Sequence, residues 1–177
     1  MTESDKFARF EQAILPHLDA AYNLARWLMR NDDDAADAVQ DAYVRALRFI
    51  GGFRGDDGRV WLLAIVRNVC YARLKRNAKR EGETEFDDEI HSLEAEAMTP
   101  ETLLERSRDS DALRRAIEEL PEEFREIVVL RELENLSYKE IAELARIPVG
   151  TVMSRLARAR KRLLAALSSL SRKETLT

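Results

Sequence analysis

Apolar residues recur every three or four positions along most of the chain, the spacing that buries one face of an α-helix. The pattern is interrupted at Pro16 and again at 51–58, where four of eight residues are glycine. Asn31 precedes three aspartates and predicts the capped start of a new helix. The stripes that the spacing predicts for this first unit are Leu18, Tyr22, Ala25 and Leu28; Val39, Tyr43, Ala46 and Ile50; and Trp61, Leu62, Ile65, Val69 and Leu74.

A second helical unit begins near Asp109. Ser137 and Glu140 have the spacing of a capping box, which predicts the start of a short helix. A turn at 147–150 separates that helix from a long basic one, in an arrangement typical of a helix-turn-helix. The inward residues predicted for this unit are Leu113, Ile117 and Leu120; Phe124, Ile127, Val128 and Leu130; Ile141, Ala142 and Leu144; and Val152, Leu156, Ala159 and Leu163. The fold class we expect is all-α, with two small helical domains.

Composition narrows the function. The 177 residues are 45% apolar and 35% charged, which is sufficient for a hydrophobic core. A single cysteine, Cys70, excludes an intramolecular disulfide and a cysteine-based zinc cluster. The two histidines are far apart, and no nucleophile, acid–base pair or metal-ligand spacing is visible, so we expect no enzyme activity, no cofactor and no metal. We also expect no signal peptide and no membrane insertion, and a cytoplasmic location.

Charge is segregated along the chain although the formal net charge is only −4. Residues 58–80 contain seven Lys or Arg and no acid, and residues 144–173 contain eight and no acid. Between them, residues 81–105 contain ten Asp or Glu and no Lys or Arg. Two acid-free runs on amphipathic helices favour polyanion binding over two solvated helix faces. We therefore predict a first domain at 1–80, a flexible acidic linker at 81–106 and a second domain at 107–173.

Several segments resemble a known family. The strings LP-x-x-x-R-E-x-V-x-L-R (from Leu120), LSYKEIAELA and GTVMSRLARAR are similar to region four of bacterial sigma factors. DAADAVQDAYVRALR (from Asp34) and FRGDDGRVWLLAIVRN (from Phe53) resemble region two, its core-binding helix and its promoter-opening loop. The order of the two regions resembles the extracytoplasmic-function group of the sigma-70 family. The resemblance covers about three quarters of the chain.

The resemblance implies roles for individual residues in the first domain. Residues expected to dock on the clamp helices of the polymerase large subunit are Asp37, Gln40, Asp41 and Tyr43. At the −10 element, residues expected to hold the melted nontemplate strand are Arg54, Asp56, Arg59 and Trp61. Residues expected to bind phosphates and nearby base edges there are Arg67, Asn68, Arg73 and Arg76. The alternative for the docking residues is that they only form a solvent-exposed helix face and bind no partner. Trp61 is either a wedge at the melting fork, stacking on a base, or a core residue.

In the second domain the resemblance implies recognition of the −35 element. The residues expected there are Lys139, Thr151, Met153, Ser154, Arg155, Arg158 and Arg160. Lys139 and Thr151 would contact phosphates, which position the protein without reading sequence. Arg160 has an alternative, a surface salt bridge. Met153 stands where many relatives have Lys or Arg, which leaves the promoter sequence open.

The expected function is that of a sigma factor, which binds core RNA polymerase and directs promoter recognition and DNA melting at the start of transcription. The expected partners are core polymerase, promoter DNA as duplex and as melted nontemplate strand, and an anti-sigma factor. Two alternatives remain. One is a stand-alone helix-turn-helix regulator, which would bind its duplex without polymerase. The other is a helical protein that mimics a sigma factor and sequesters a regulator.

Overall fold

The computed structural model describes residues 1–81 and 110–175, and the side chains of these residues up to 169. Every regular element in these ranges is helical, which confirms the all-α prediction. Most of the predicted acidic linker, 81–106, lies outside the described residues. The α-helices are α1 (Glu3–Ala13), α2 (Leu18–Met29), α3 (Asp32–Phe49), α4 (Arg59–Arg80), α5 (Ser110–Glu118), α6 (Glu122–Val128), α7 (Tyr138–Ala145) and α8 (Val149–Thr175).

The first bundle consists of α2, α3 and α4 packed against one another, with α1 lying on α3. Arg30 adopts a left-handed conformation (φ 62°) that ends α2, and α3 follows almost at once. Asn31 caps α3 as predicted, its side chain accepting a hydrogen bond from the Asp34 amide at 3.0 Å. Short 3₁₀ turns, Leu15–His17 and Ile50–Gly52, follow α1 and α3 respectively.

The second bundle packs α5, α6 and α7 against the long helix α8. A π-helical turn, Val129–Leu133, extends α6. The capping box is present at the start of α7: the Ser137 hydroxyl accepts from the Glu140 amide at 3.1 Å, and the Ser137 amide donates to the Glu140 carboxylate at 2.9 Å. The predicted inward residues of α8, Val152, Leu156, Ala159 and Leu163, are all buried. The helix-turn-helix prediction is therefore confirmed in its packing.

The two bundles pack against each other in the described structure. α2 contacts α6 and the π-helical turn, and α4 contacts α7. The buried apolar residues of the two bundles form one continuous cluster. This arrangement explains a difference on α4, where the core is formed by Leu63, Val66 and Cys70 in addition to the predicted Leu62 and Val69. Because α4 has neighbours on two sides, a single predicted stripe underestimates its buried surface.

Within the residues that the structure describes, no helix is both long enough and apolar enough to cross a membrane.

Candidate nucleic-acid and partner interfaces

The outward face of α3 carries three of the four residues predicted to dock on a partner. Asp37 and Gln40 are exposed and Asp41 is about half exposed. Asp41 forms an ion pair with Arg73 of α4, so a predicted docking residue and a predicted DNA contact hold each other. Tyr43 points away from this face, and its ring meets Phe10 edge-on with centroids 6.4 Å apart. Burial and the nearby Asp19 carboxylate raise the pKa of Tyr43.

The loop 53–58 and the start of α4 contain four of the predicted −10 residues. Arg54 and Asp56 are exposed at the tip of the loop. Trp61 is half-buried, with its ring centroid 5.0 Å from that of Phe53. Trp61 therefore contributes to the core and still presents part of its ring to solvent, which is compatible with both predicted roles. Arg59 is half-buried near Glu134, 3.5 Å away.

The remaining predicted −10 residues lie further along α4 and differ in accessibility. Asn68 and Arg76 are exposed. Arg67 instead points into the junction between the two bundles, where its guanidinium pairs with the Glu126 carboxylate of α6. Arg73 likewise pairs with Asp41. Both of these arginines of α4 therefore form ion pairs with carboxylates of the protein itself.

Glu126 is the centre of the junction and is fully buried. Its carboxylate accepts hydrogen bonds from Arg67 and, at 2.8 Å, from the Tyr71 hydroxyl. Burial raises the pKa of Glu126, while Arg67 and Tyr71 act in the opposite direction. Burial, and then the same carboxylate, raise the pKa of Tyr71, so its hydroxyl remains a donor. Two residues of α4 thus share one buried acceptor from the second bundle.

Two neighbouring contacts complete the junction. Arg125 is buried and donates to the backbone carbonyls of Glu118 at 3.0 Å, Leu120 at 2.8 Å and Leu28 of α2 at 3.4 Å. Burial lowers the pKa of Arg125, although a guanidinium remains protonated in a protein. Glu134 accepts a hydrogen bond from the Asn23 side chain at 2.8 Å. These charged groups all lie between the bundles and are hydrogen-bonded there.

The helix α8 presents a basic surface opposite its buried stripe. Arg158 and Met153 are exposed on it, as is Lys139 on the preceding helix. The Ser154 hydroxyl donates to the Thr151 carbonyl at 3.1 Å. The structure therefore brings the predicted −35 residues together along one pair of helices.

The arginines of α8 are not equivalent, because some are engaged by neighbouring side chains. Arg155 lies 3.4 Å from Glu123. Arg160 donates to Glu132 at 2.5 and 3.2 Å, which matches the alternative of a surface salt bridge. Arg162 stacks over the ring of Phe124 at 4.8 Å.

Sequence reasoning missed the junction residues Arg125, Glu126 and Glu134. One signal was available: Arg125 and Glu126 interrupt the apolar run between Phe124 and Leu130, where charged residues must be hydrogen-bonded if the run is buried. The identity of their partners was not accessible, because Arg67 lies 59 residues earlier.

The fold and these surfaces define a two-domain helical protein with a helix-turn-helix. Comparisons with known proteins identify the family. Residues 13–80 match the model of sigma-70 region 2, and residues 110–163 match that of sigma-70 region 4. The chain is 32% identical over 171 residues to the RNA polymerase sigma-H factor of Pseudomonas aeruginosa, covering 92% of this chain and 88% of that protein. It is 38% identical over 135 residues to the ECF RNA polymerase sigma-E factor of Escherichia coli, covering 72% and 71%.

A solved structure extends the likeness to three dimensions. The sigma factor RpoE of Bartonella quintana, solved in complex with the anti-sigma factor NepR, superimposes with a TM-score of 0.70 at 27% identity, covering 90% of this chain and 96% of that one. The chain therefore belongs to the sigma-70 family and is an RNA polymerase sigma factor of the extracytoplasmic-function group. Members of this family are transcription initiation factors.

Proposed function

We propose that this sigma factor uses three separate surfaces for its partners. The outward face of α3 binds core polymerase, and α8 binds the −35 duplex. The loop 53–58, together with the start of α4, binds the melted −10 strand. The observation that carries the proposal is the separation of charge. The exposed residues of α3 include Asp37 and Gln40, whereas α8 exposes Arg158 on a helix whose opposite side is buried. Arginine in a major groove reads guanine with two hydrogen bonds.

The division of labour is tested with one variant on each surface. Asp37→Arg should weaken binding to core polymerase, because it reverses a charge on the exposed face of α3. Asp37 is preferred to Asp41, since a change at Asp41 would also release Arg73. Arg158→Ala should leave polymerase binding intact and weaken use of the promoter by about 1–3 kcal/mol, the usual contribution of a bidentate base contact.

Binding to core polymerase is measured by co-elution on a sizing column, and promoter use by transcription with the reconstituted holoenzyme. Arg160→Ala is the matched control on the same helix, because Arg160 already pairs with Glu132 and its loss should cost less than the loss of Arg158. Equal loss of polymerase binding in Asp37→Arg and Arg158→Ala would contradict the proposal.

We also infer that the packed arrangement is the resting form and that polymerase binding separates the two domains. In the packed form Glu126 engages Arg67 and Glu134 lies near Arg59, so two of the cations proposed for the −10 strand face acids of the second domain. A sigma factor on a promoter must span two elements, and these cations become available when the domains part. The structural similarity to RpoE, which was solved in complex with an anti-sigma factor, supports this proposal. It suits a packed arrangement that an anti-sigma factor stabilises.

The partners that follow are core RNA polymerase, promoter DNA and a protein of the anti-sigma class, and the proposed location is the cytoplasm, where polymerase acts. We propose no chemical reaction for the chain itself. Its contribution to DNA opening is to bind the melted strand more strongly than the duplex, which lowers the free energy of the open complex.

A further inference from the structure

The loop 53–58 is tied at its first residue to helix α1. Arg9 donates a hydrogen bond from Nη2 to the Phe53 carbonyl at 2.5 Å, and its guanidinium lies 5.7 Å from the centroid of the Phe53 ring. Phe53 is buried and packs against Trp61, 5.0 Å away. A single side chain from α1 therefore holds both the backbone at the start of the loop and the ring that supports Trp61.

The last residue of the loop is tied to the end of the same helix. The Gly58 amide donates to the Ala13 carbonyl at 3.2 Å. A Cβ at Gly58 would lie 2.7 Å from that carbonyl oxygen and 2.5 Å from Cδ1 of Ile14. Ile14 is fully buried, so neither neighbour can move aside freely. Only glycine allows the loop to approach α1 this closely.

A third contact comes from the 3₁₀ turn after α1. His17 Nε2 lies 2.8 Å from Oδ1 of Asp57. The same oxygen accepts a hydrogen bond from the Arg59 amide at 3.0 Å, within the first turn of α4. His17 is therefore linked through Asp57 to the start of the helix that carries Trp61.

Between these contacts the tip of the loop is exposed. Arg54 and Asp56 flank Gly55, whose φ of 138° lies where other residues are strained. We propose that Arg9, His17 and Gly58 are positioning residues for capture of the melted −10 strand, because they fix both ends of this loop to α1 and the following turn and so hold Arg54, Asp56 and Trp61 in a binding geometry before DNA arrives. The inference rests on the proposed role of the loop in binding that strand.

A loop that is ordered before DNA arrives should bind the melted strand more tightly than a mobile loop. Ordering a loop and its side chains at the moment of binding reduces affinity, whereas a loop already held in place does not lose that free energy. The contacts come from α1 and the 3₁₀ turn after it, neither of which belongs to the surfaces proposed for polymerase and for the −35 element. A defect in positioning should therefore appear in −10 strand binding alone.

The test uses holoenzyme reconstituted from the full chain and core polymerase of the same bacterium. The probe is a fluorescent single-stranded oligonucleotide with the nontemplate −10 sequence of a promoter that the wild-type holoenzyme selects from genomic fragments. Arg9→Gln and Gly58→Ala should each bind it at least about tenfold more weakly, the effect expected when one charge-assisted hydrogen bond or the loop geometry is lost. Affinity for core polymerase and the melting temperature are measured in parallel. Polymerase affinity should not change in either variant, and the melting temperature should equal that of wild type in Arg9→Gln but be lower in Gly58→Ala, because the added Cβ meets buried Ile14.

Three further variants make the outcome decisive. Arg9→Lys should recover part of the oligonucleotide binding, because lysine can still donate to the Phe53 carbonyl. Lys6→Gln, on the same helix, should resemble wild type, since Lys6 only meets the exposed Glu3 at 3.6 Å. Arg54→Ala reports on the loop's own contact with DNA.

Three different results would overturn the proposal. If Arg54→Ala loses the oligonucleotide while Arg9→Gln and Gly58→Ala retain it, the loop binds DNA but the contacts with α1 do not position it. If all three retain it, the proposed role of the loop fails as well. Loss of polymerase binding by Arg9→Gln and Gly58→Ala, or loss of thermal stability by Arg9→Gln without recovery in Arg9→Lys, would reduce these residues to a structural role.

Discussion

Burial in this protein changes the chemical reactivity of individual side chains. Cys70 is an example on α4: it is fully buried, and burial raises the pKa of its thiol to about 12, with Arg73 acting in the opposite direction. The reactive form of cysteine is the thiolate. The side chain is therefore protected both by the lack of solvent access and by its protonation.

The expected consequence is an unreactive thiol in the native state. At pH 8 only about one thiol in ten thousand would be ionised, given a pKa about four units higher. Cys70 should react with iodoacetamide at the rate at which the first domain unfolds, and rapidly in denaturant. The modification is followed by mass spectrometry over time. Fast, complete modification of the folded protein at pH 8 would show that this part of α4 is accessible.

Among the elements, α7 is defined most strongly by local sequence. Its capping box satisfies the Glu140 and Ser137 backbone amides, which would otherwise lack partners at the helix start. Ser137→Ala should destabilise the second domain by about 0.5–2 kcal/mol, the range for loss of an N-cap. Chemical denaturation with circular dichroism measures the change. The prediction fails if Ser137→Ala unfolds at the same denaturant concentration as wild type.

Other elements could be predicted only in part, for physical reasons. The buried stripe of α8, from Val152 to Leu163, follows helical spacing and has its neighbours on one side, so its pattern identified the buried face correctly. α4 packs within its own bundle and also against α7, and its buried Leu63 and Val66 lie outside the predicted stripe. Periodicity describes one buried face well and two buried faces poorly.

At the scale of the whole molecule, the packing of the two domains could not have been predicted from local pattern. The sequence indicated that Arg125 and Glu126 interrupt an apolar run and that Arg67 belongs to a basic helix, but it gave no reason to pair Arg67 with Glu126. The pairing depends on contacts between elements that are distant in the chain. The positions predicted for core polymerase and DNA came from family resemblance, and their roles stay predictions.

Two substitutions at the junction should loosen the packing of the two domains to different extents. Glu126→Ala should loosen domain packing strongly, because removal of one partner from a buried ion pair typically costs about 3–5 kcal/mol. Tyr71→Phe removes one hydrogen bond from the other side and should cost about 1 kcal/mol. Small-angle X-ray scattering of the free protein should show a larger radius of gyration for Glu126→Ala than for Tyr71→Phe.

Glu132→Ala is the control for this series. Glu132 lies in the neighbouring π-helical turn but pairs with the partly exposed Arg160, in a surface contact worth about 0–1 kcal/mol. Its radius of gyration should equal that of wild type. If Glu126→Ala is as compact as Glu132→Ala, the buried carboxylate does not hold the domains together.

The central claim, that this chain is a sigma factor acting through these surfaces, is tested most directly by transcription in vitro. Core polymerase from the same bacterium is incubated with genomic DNA fragments, with and without the purified chain, and the 5′ ends of the transcripts are sequenced. The account predicts that the chain produces a discrete set of start sites, each preceded by shared −10 and −35 elements, which are absent without it. Transcripts whose start sites are the same with and without the chain would contradict it.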